Sequence, residues 1–425
     1  MTVVFEFVIQ QKMSILEIMY ELPHIRYLYL VKEVFHYGRI SNAAAKVHIS
    51  QPAATQSLAR VEELLKVQLF ERQPKGMVPT EVGMIFERRL TRILEHLRRG
   101  DSLARKKTIR GTNGKLTSSF HKHCSPVQFR VLLAITKTGS FKQAAQELDV
   151  SQPGVHRAMK DLALLAGFSL FEQTRGGIEL TSAAEVFVHQ LRLALSEFQQ
   201  AVFEINEFLG QATTRINLGS LPLSRVSILP SAINKLLSDV GASVQVNCID
   251  ARYPTLLKDL RFGDLDFIIG ALRFPKPAYD VEQEELFIDN LAVVVSPNHP
   301  LASCKHLTIE DTLAFPWVAP PRATPSGTYL FEKLRIHEMP KTPVCTVSSS
   351  LILLRGLLSR GEYVSITSKR QIEVEEQLGQ LVQLPINLPD SERPIGLTFR
   401  TGWRPTKVQE KFLDIIRQTA KMKSG

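Results

Sequence analysis

The 425-residue sequence predicts an α/β multidomain protein: two small winged helix-turn-helix modules in tandem, then a larger α/β region of two subdomains. Three observations predict it. The stretches "HISQPAATQSLARVEELL", from His48, and "DVSQPGVHRAMKDLALL", from Asp149, open alike. Displaced by 101 residues, the chain aligns with itself without a gap from Gly38 to Thr80, with 12 identities in 43 positions. From Thr213 onward, short apolar runs such as "LDFIIGAL" alternate with helical stretches such as "SSLILLRGLLSRG". A period near 100 residues is too long for a solenoid and reads as a duplicated small domain.

Each copy can be justified in chain order. Residues 24–37 place Ile25, Leu28, Val31, Val34 and Phe35 at helical spacing, and Gly38 ends that helix. A second helix, around 41–48, buries Ala44 and Val47. Ser50 is a natural N-cap, and Pro52 falls in the first turn, where its missing N–H costs nothing. The third helix keeps Leu58, Val61, Leu64 and Leu65 on one face and shows Gln51, Thr55, Gln56 and Arg60 on the other. That is a helix-turn-helix. In "LFERQPKGMVPTEVG", turn-forming residues Gln73 to Gly76 lie between apolar Leu69-Phe70 and Val78, which predicts a two-stranded wing. Thr80 caps the next helix, whose Val82, Ile85, Phe86, Ile93, Leu94 and Leu97 form an apolar stripe. Either the module's own core or a dimer seam would cover it.

Residues 98–122 carry eight Lys/Arg against one Asp, among Gly, Ser, Thr and Asn, and read as a flexible basic linker. After the second copy, residues 182–210 form a long amphipathic helix with Phe187, Leu191, Leu195, Phe198, Val202 and Ile205 in one stripe, the better candidate for dimerisation. The expected domains are an extension over 1–23, modules over 24–98 and 125–211, a linker over 99–124, and the α/β region over 212–425.

Charge is uneven. The net charge is +10, and residues 21–125 alone hold 19 Lys/Arg against 9 Asp/Glu, whereas residues 126–212 hold 7 against 9. A concentrated basic segment points to a polyanion, most often nucleic acid. Four scattered cysteines without a C-x-x-C fit neither zinc nor a disulfide framework, so a cytoplasmic location is expected. No apolar run reaches 18 residues, so no membrane span is expected. Residues 1–20 contain Glu6 and Glu17 and no cleavage site. They read as a short extension, or as upstream of a start at Met13 or Met19.

"ISNAAAKVHISQPAATQSLARVEELLKVQLFERQPKGMVPTEVG" resembles the DNA-binding domain of LysR-type transcriptional regulators, and the second copy resembles it again. The resemblance, with the C-terminal half, spans residue 24 to about 420. It implies a third helix in the major groove of double-stranded DNA and a wing against the backbone or minor groove. Carried over, Gln51, Pro52, Thr55, Gln56 and Arg60 would face DNA, with Arg72 and Lys75 on phosphate. The matching residues of the second copy are Gln152, Pro153, His156, Arg157 and Asp161, with Arg175 on the wing. Asp161 replaces Arg60 and Gln173 replaces Arg72. Two readings stay open: both modules grip DNA, or the second serves as scaffold with auxiliary contact. The charge balance favours the second.

In the C-terminal half, "FGDLDFIIGA" and "SRGEYVSIT" resemble landmarks of the LysR effector domain, which implies a periplasmic-binding-protein-like fold. The subdomains would be about 213–290 with 390–425, and about 291–389. Ligands in such sheets sit beyond the carboxyl ends of strands. Ser220, Leu221, Arg322, Thr324, Ser348 and Ser349 qualify, and the resemblance adds Ile269, Gly270 and Ser365. Hydroxyls, helix N-termini and one Arg favour a small anionic effector: a carboxylate, an aromatic acid or a sugar-type compound. Each serine is equally well a simple N-cap, and Arg322 a surface arginine. No G-x-S-x-G, H-E-x-x-H, P-loop or dinucleotide fingerprint occurs, so neither an enzyme nor a cofactor is expected. The expected activity is ligand-responsive transcription regulation, as a homo-oligomer (dimer or tetramer) with RNA polymerase as a further partner. The alternative is an architectural DNA binder whose effector domain is vestigial.

Overall fold

Apolar spacing at three to four residues builds the first module, whose helices are α1 (Ile25–Tyr37), α2 (Ile40–Lys46) and α3 (Gln51–Leu65). The computed structural model describes residues 22–109, 119–175, 177–211, 214–226, 228–241, 244–339 and 344–422. The extension up to residue 21, with Met13 and Met19, lies outside them. The chain forms two units, Met1–Thr214 and Arg215–Gly425.

In the first unit, Gly38 ends α1 in the left-handed conformation, and Ser50 caps α3 by accepting from the Ala53 amide. Strands β1 (Phe70–Gln73) and β2 (Gly76–Pro79) pair antiparallel as the wing. Thr80 Oγ1 accepts from the Gly83 amide at 2.9 Å, starting α4 (Glu81–Ile109). The second module repeats this plan with α5 (Pro126–Thr138), α6 (Phe141–Glu147), α7 (Gln152–Ala166), β3 (Phe171–Thr174), β4 (Gly177–Leu180) and α8 (Ser182–Phe208).

The linker expectation needs correction. Residues 99–109 belong to α4, because Asp101 and Ala104 continue its buried face. Gly100 permits the close approach: a Cβ there would lie 2.9 Å from the Gln190 Cβ. Residues 110–118 lie outside the described residues. Phe120–His123 form a 3-10 turn wedged between the modules. Phe120 packs on Phe168 and Phe187, and His121 bonds both Tyr29 and the buried Asp101. Burial raises the Asp101 carboxyl, but His121 and Arg105 outweigh it and hold the group below the usual carboxylate range.

The α4 stripe, expected to meet either its own module's core or a dimer seam, and the α8 stripe, expected to dimerise, cover each other inside one chain. Arg89 pairs with Glu197 at 2.8 Å and Glu204 at 2.6 Å, and Arg92 with Glu197 at 2.6 Å. His96 Nδ1 meets Gln190 Oε1 at 2.9 Å. Partner numbers fall as α4 numbers rise, so α4 and α8 run antiparallel. Around these polar pairs, Phe86, Leu90, Ile93, Phe187, Leu191 and Phe198 are fully buried, each contributing about 1.5–3 kcal/mol.

In the second unit, the first sheet has the order β6 (Val244–Asp250), β5 (Thr214–Ser220), β7 (Phe267–Ala271), β14 (Arg393–Arg400), β8 (Val281–Asp289). The second has the order β11 (Val344–Val347), β10 (Trp317–Ala319), β12 (Val364–Ser368), β9 (Leu291–Val295), β13 (Val382–Gln383). Helices α9 (Pro222–Val226) and α10 (Ile228–Val240) follow β5, and the sheets mix parallel with antiparallel pairs, where strand–helix alternation predicts mostly parallel ones. Strands β9 and β14 enter from the opposite subdomain and run antiparallel to β12 and β7. At this crossing the buried Asp289 accepts from Arg393 at 2.5 Å and from Ser368 Oγ at 2.9 Å.

Arg89 is 3% exposed, and its loss would leave Glu197 and Glu204 short of a partner in the seam. Arg89→Ala is expected to destabilise the first unit by about 3–5 kcal/mol, read from urea unfolding of the full chain. The Glu197 carboxyl is raised by burial but held below its ordinary value by Arg92 and Arg89. Its contribution is therefore complete above the unfolded value of about 4.3 and is lost as pH falls through the depressed folded value. Glu197→Gln should abolish that part of the acid-side stability loss in a pH series of melting curves.

Candidate nucleic-acid interface and small-molecule site

Burial of the α3 inner face fixes which side chains point outward. Gln51, Pro52, Gln56 and Arg60 are exposed and Thr55 is half-buried. Thr55 Oγ1 donates to the Gln51 carbonyl at 3.1 Å, and Arg60 Nη1 donates to Tyr27 Oη at 2.9 Å. Arg72 and Lys75 are exposed on the wing. A residue that sequence reasoning passed over sets the wing: buried Glu62 accepts from the Leu69 and Phe70 amides at 2.8 and 3.3 Å. Its counterpart, Ala163, cannot do this.

The outer face of α7 is equally open. Gln152, Pro153, His156, Arg157 and Asp161 are exposed, as is Arg175 at the wing tip. His156 stacks flat on Phe141 at 4.4 Å. Exposed Lys160 was also passed over. It stands where the first copy has Ala59 and, with Arg157, offsets Asp161.

The predicted small-molecule residues fall into three places. Ser220, Leu221, Ile269 and Gly270 come together at the carboxyl ends of β5 and β7, where the Leu221 amide donates to the Ile269 carbonyl at 3.0 Å. Ile269 is core, and Leu221 fills the space a Gly270 Cβ would need, 2.5 Å away. Thr324 caps α12 (Pro325–Thr328), and Arg322 lies over the Phe331 ring at 5.0 Å with Nη2 3.4 Å from His337. Ser348 accepts from the Ser350 amide, Ser349 is exposed, and Ser350 caps α13 (Leu351–Leu358). Ser365 is buried in β12 and donates to the Val318 carbonyl at 2.6 Å.

Sequence reasoning missed a cationic cluster beside the first of these places. Tyr253 opens α11 (Tyr253–Arg261) after β6, and Arg273 follows β7; their side chains stack at 4.6 Å. Among the described residues, Tyr253 Oη, Arg273 Nη1 and Arg393 Nε are buried without a hydrogen-bond partner. Burial, and the nearby Arg393 cation, lower the Arg273 pKa, with Tyr253 opposing; burial raises that of Tyr253. Only the register of β6, β7 and β14 brings these residues together.

Comparison with known proteins decides the family. The helix-turn-helix domain described as "Bacterial regulatory helix-turn-helix protein, lysR family" matches residues 25–84 and again 126–185, and the "LysR substrate binding domain" matches 209–421. The chain belongs to the LysR family of transcription regulators. It is a DNA-binding regulator with a substrate-binding domain, and its relatives are named as regulators, not enzymes. It is 29% identical over 398 residues to the transcriptional regulator GalR of Pseudomonas putida, covering 94% of this chain and 98% of the relative. That span leaves no room to omit either module. It is 27% identical over 297 residues to PcaQ of Agrobacterium fabrum, covering 69% and 95%. Among solved structures, full-length OxyR from Pseudomonas aeruginosa gives a TM-score of 0.49 at 21% identity, over 69% of this chain and 94% of that one. CbnR bound to its target DNA gives 0.48 at 19%, over 69% and 99%. No described helix is long and apolar enough to cross a membrane.

Glu62→Ala would strand two amides at the root of the first wing. It is expected to cost about 1–3 kcal/mol and to speed proteolysis between Phe70 and Pro79, whereas cleavage of the second wing, which has Ala163 at that position, should be unchanged.

Proposed function

We propose that this LysR-family regulator responds to a small carboxylate metabolite held by its C-terminal unit. The observation that carries this reading is the Tyr253–Arg273–Arg393 cluster, with three buried donor atoms lacking partners beside the carboxyl ends of β6 and β7. An uncompensated guanidinium favours an anion, and a phenol beside it adds a neutral donor. Leu221, Arg322, Thr324, Ser348 and Ser349 supply further polar and apolar surface on neighbouring loops. Occupancy shifts the conformational equilibrium only by the ligand's difference in affinity between states. That shift would reset contact with DNA and RNA polymerase at promoters of catabolic or transport genes. Four free thiols agree with a reducing cytoplasm. The homo-oligomer, dimer or tetramer, is part of the same reading.

The test is thermal melting of the full chain against a panel of carboxylates and their neutral amides. A true ligand at about 100 times its Kd stabilises by about 2.7 kcal/mol, or several degrees. Arg273→Gln should abolish the shift without lowering the unliganded melting temperature. Equal shifts from acid and amide would refute an anionic effector.

A further inference from the structure

The displacement of 101 residues that relates the modules also relates their long helices. Arg89 of α4 corresponds to Gln190 of α8, and His96 to Glu197. The observed contacts are Arg89 with Glu197 and His96 with Gln190. Each therefore exchanges into the other under that correspondence: position 89 meets position 96 of the other copy, twice. Such reciprocity defines a local two-fold relation between the modules, the geometry by which paired helix-turn-helix modules address two half-sites.

The pairing is also coded by charge. In the same register, an α4–α4 seam between two chains would set Arg89 against His96 and Leu103, with no anion for a buried guanidinium. An α8–α8 seam would set Glu197 against Gln190 and Leu193, and Glu204 against Gln190. Both homotypic seams bury uncompensated charge, whereas α4 with α8 sets Arg89 and Arg92 against Glu197 and Glu204. The acidic excess of residues 126–212 is thereby partly accounted for. Glu197 and Glu204 sit in the seam, and Glu147 pairs with Lys137.

We infer that one chain carries both halves of a DNA-reading pair and binds a single asymmetric duplex site, α3 in one half and α7 in the other. The inference rests on the family's DNA binding. The asymmetry follows from the faces, which share Gln51/Gln152 and Pro52/Pro153 but differ at Thr55/His156, Gln56/Arg157, Ala59/Lys160 and Arg60/Asp161. Arg157 has the reach for a guanine edge that Gln56 would use on adenine.

The experiment selects duplexes from a random pool with the full chain. The expected motif has two unlike blocks, separated by whole helical turns of about 10 bp, with one chain for each pair of blocks by mass measurement. Gln56→Ala should weaken discrimination in one block by about 5- to 150-fold and Arg157→Ala in the other block alone. An inverted repeat relaxed on both sides by Gln56→Ala and indifferent to Arg157→Ala would overturn the inference, because two chains would then be pairing their first modules. Enrichment of no duplex at all would overturn the DNA-binding reading itself. The seam is tested separately. Arg89→Glu with Arg92→Glu, or Glu197→Arg with Glu204→Arg, should each lower affinity for the selected duplex about tenfold or more. All four changes in one chain should restore it, and mixing the two doubly substituted chains should not. Restoration by mixing would place the seam between chains and overturn the inference. If the charge-reversed chains do not fold, the surface variants Gln56→Ala and Arg157→Ala still decide it.

Discussion

Two arginines on α4 and two glutamates on α8 meet in a seam from which water is largely excluded. Removing a guanidinium or a carboxylate from water is costly, and the cost is offset only when the partner is held in place with its remaining hydrogen bonds satisfied. Glu197 accepts from both Arg89 and Arg92, while Arg89 also reaches Glu204. That requirement sets the register of the helix pair. The register in turn sets where each module stands relative to the other. The surrounding apolar stripe would tolerate several registers; the charges tolerate one.

The 3-10 turn at Phe120–His123 fixes the same arrangement from the other side. It falls within residues 99–124, the stretch that the sequence presents as a basic linker. Phe120 enters the second module's core between Phe168 and Phe187, while His121 connects Tyr29 of the first module to Asp101 of α4. The Tyr29 hydroxyl is pushed up to about 12, mainly by burial, and so stays neutral. One short segment therefore joins a hydrophobic contact in one module to a polar network in the other.

The C-terminal unit obeys a different constraint. Its two sheets exchange strands at Asn290 and again between Gln383 and Arg393, so the carboxyl ends of parallel strands in each sheet lie beside the crossing. Asp289, buried at that crossing, is bridged by Arg393 and Ser368. Arg393 also donates to Ser326 on α12, so it touches residues of both subdomains while its Nε stays unpartnered. A residue so placed ties the two sheets together, and under the proposed function it would also face the anion near Arg273.

Much of this was legible in the sequence. Helical spacing, the Ser50 and Ser151 caps, the wing turns and the duplication itself are local patterns. Local patterns fix local structure because capping and amphipathic burial act within a few residues. The outward faces of α3 and α7 followed from the same periodicity. Partners more than about 80 residues apart were not legible. An apolar stripe announces that it will be covered, not by what, so the α4 stripe left two readings open and the α8 stripe read as a dimer seam, although each covers the other. The cluster of Tyr253, Arg273 and Arg393 was equally hidden, since strand order, which no local signal encodes, brings a helix start, a loop and a returning strand together. The sequence by itself determined the modules, their number and their exposed chemistry. Tertiary structure decided their pairing and the place of the buried cations, because both depend on contacts between distant segments, where desolvated charge admits one geometry.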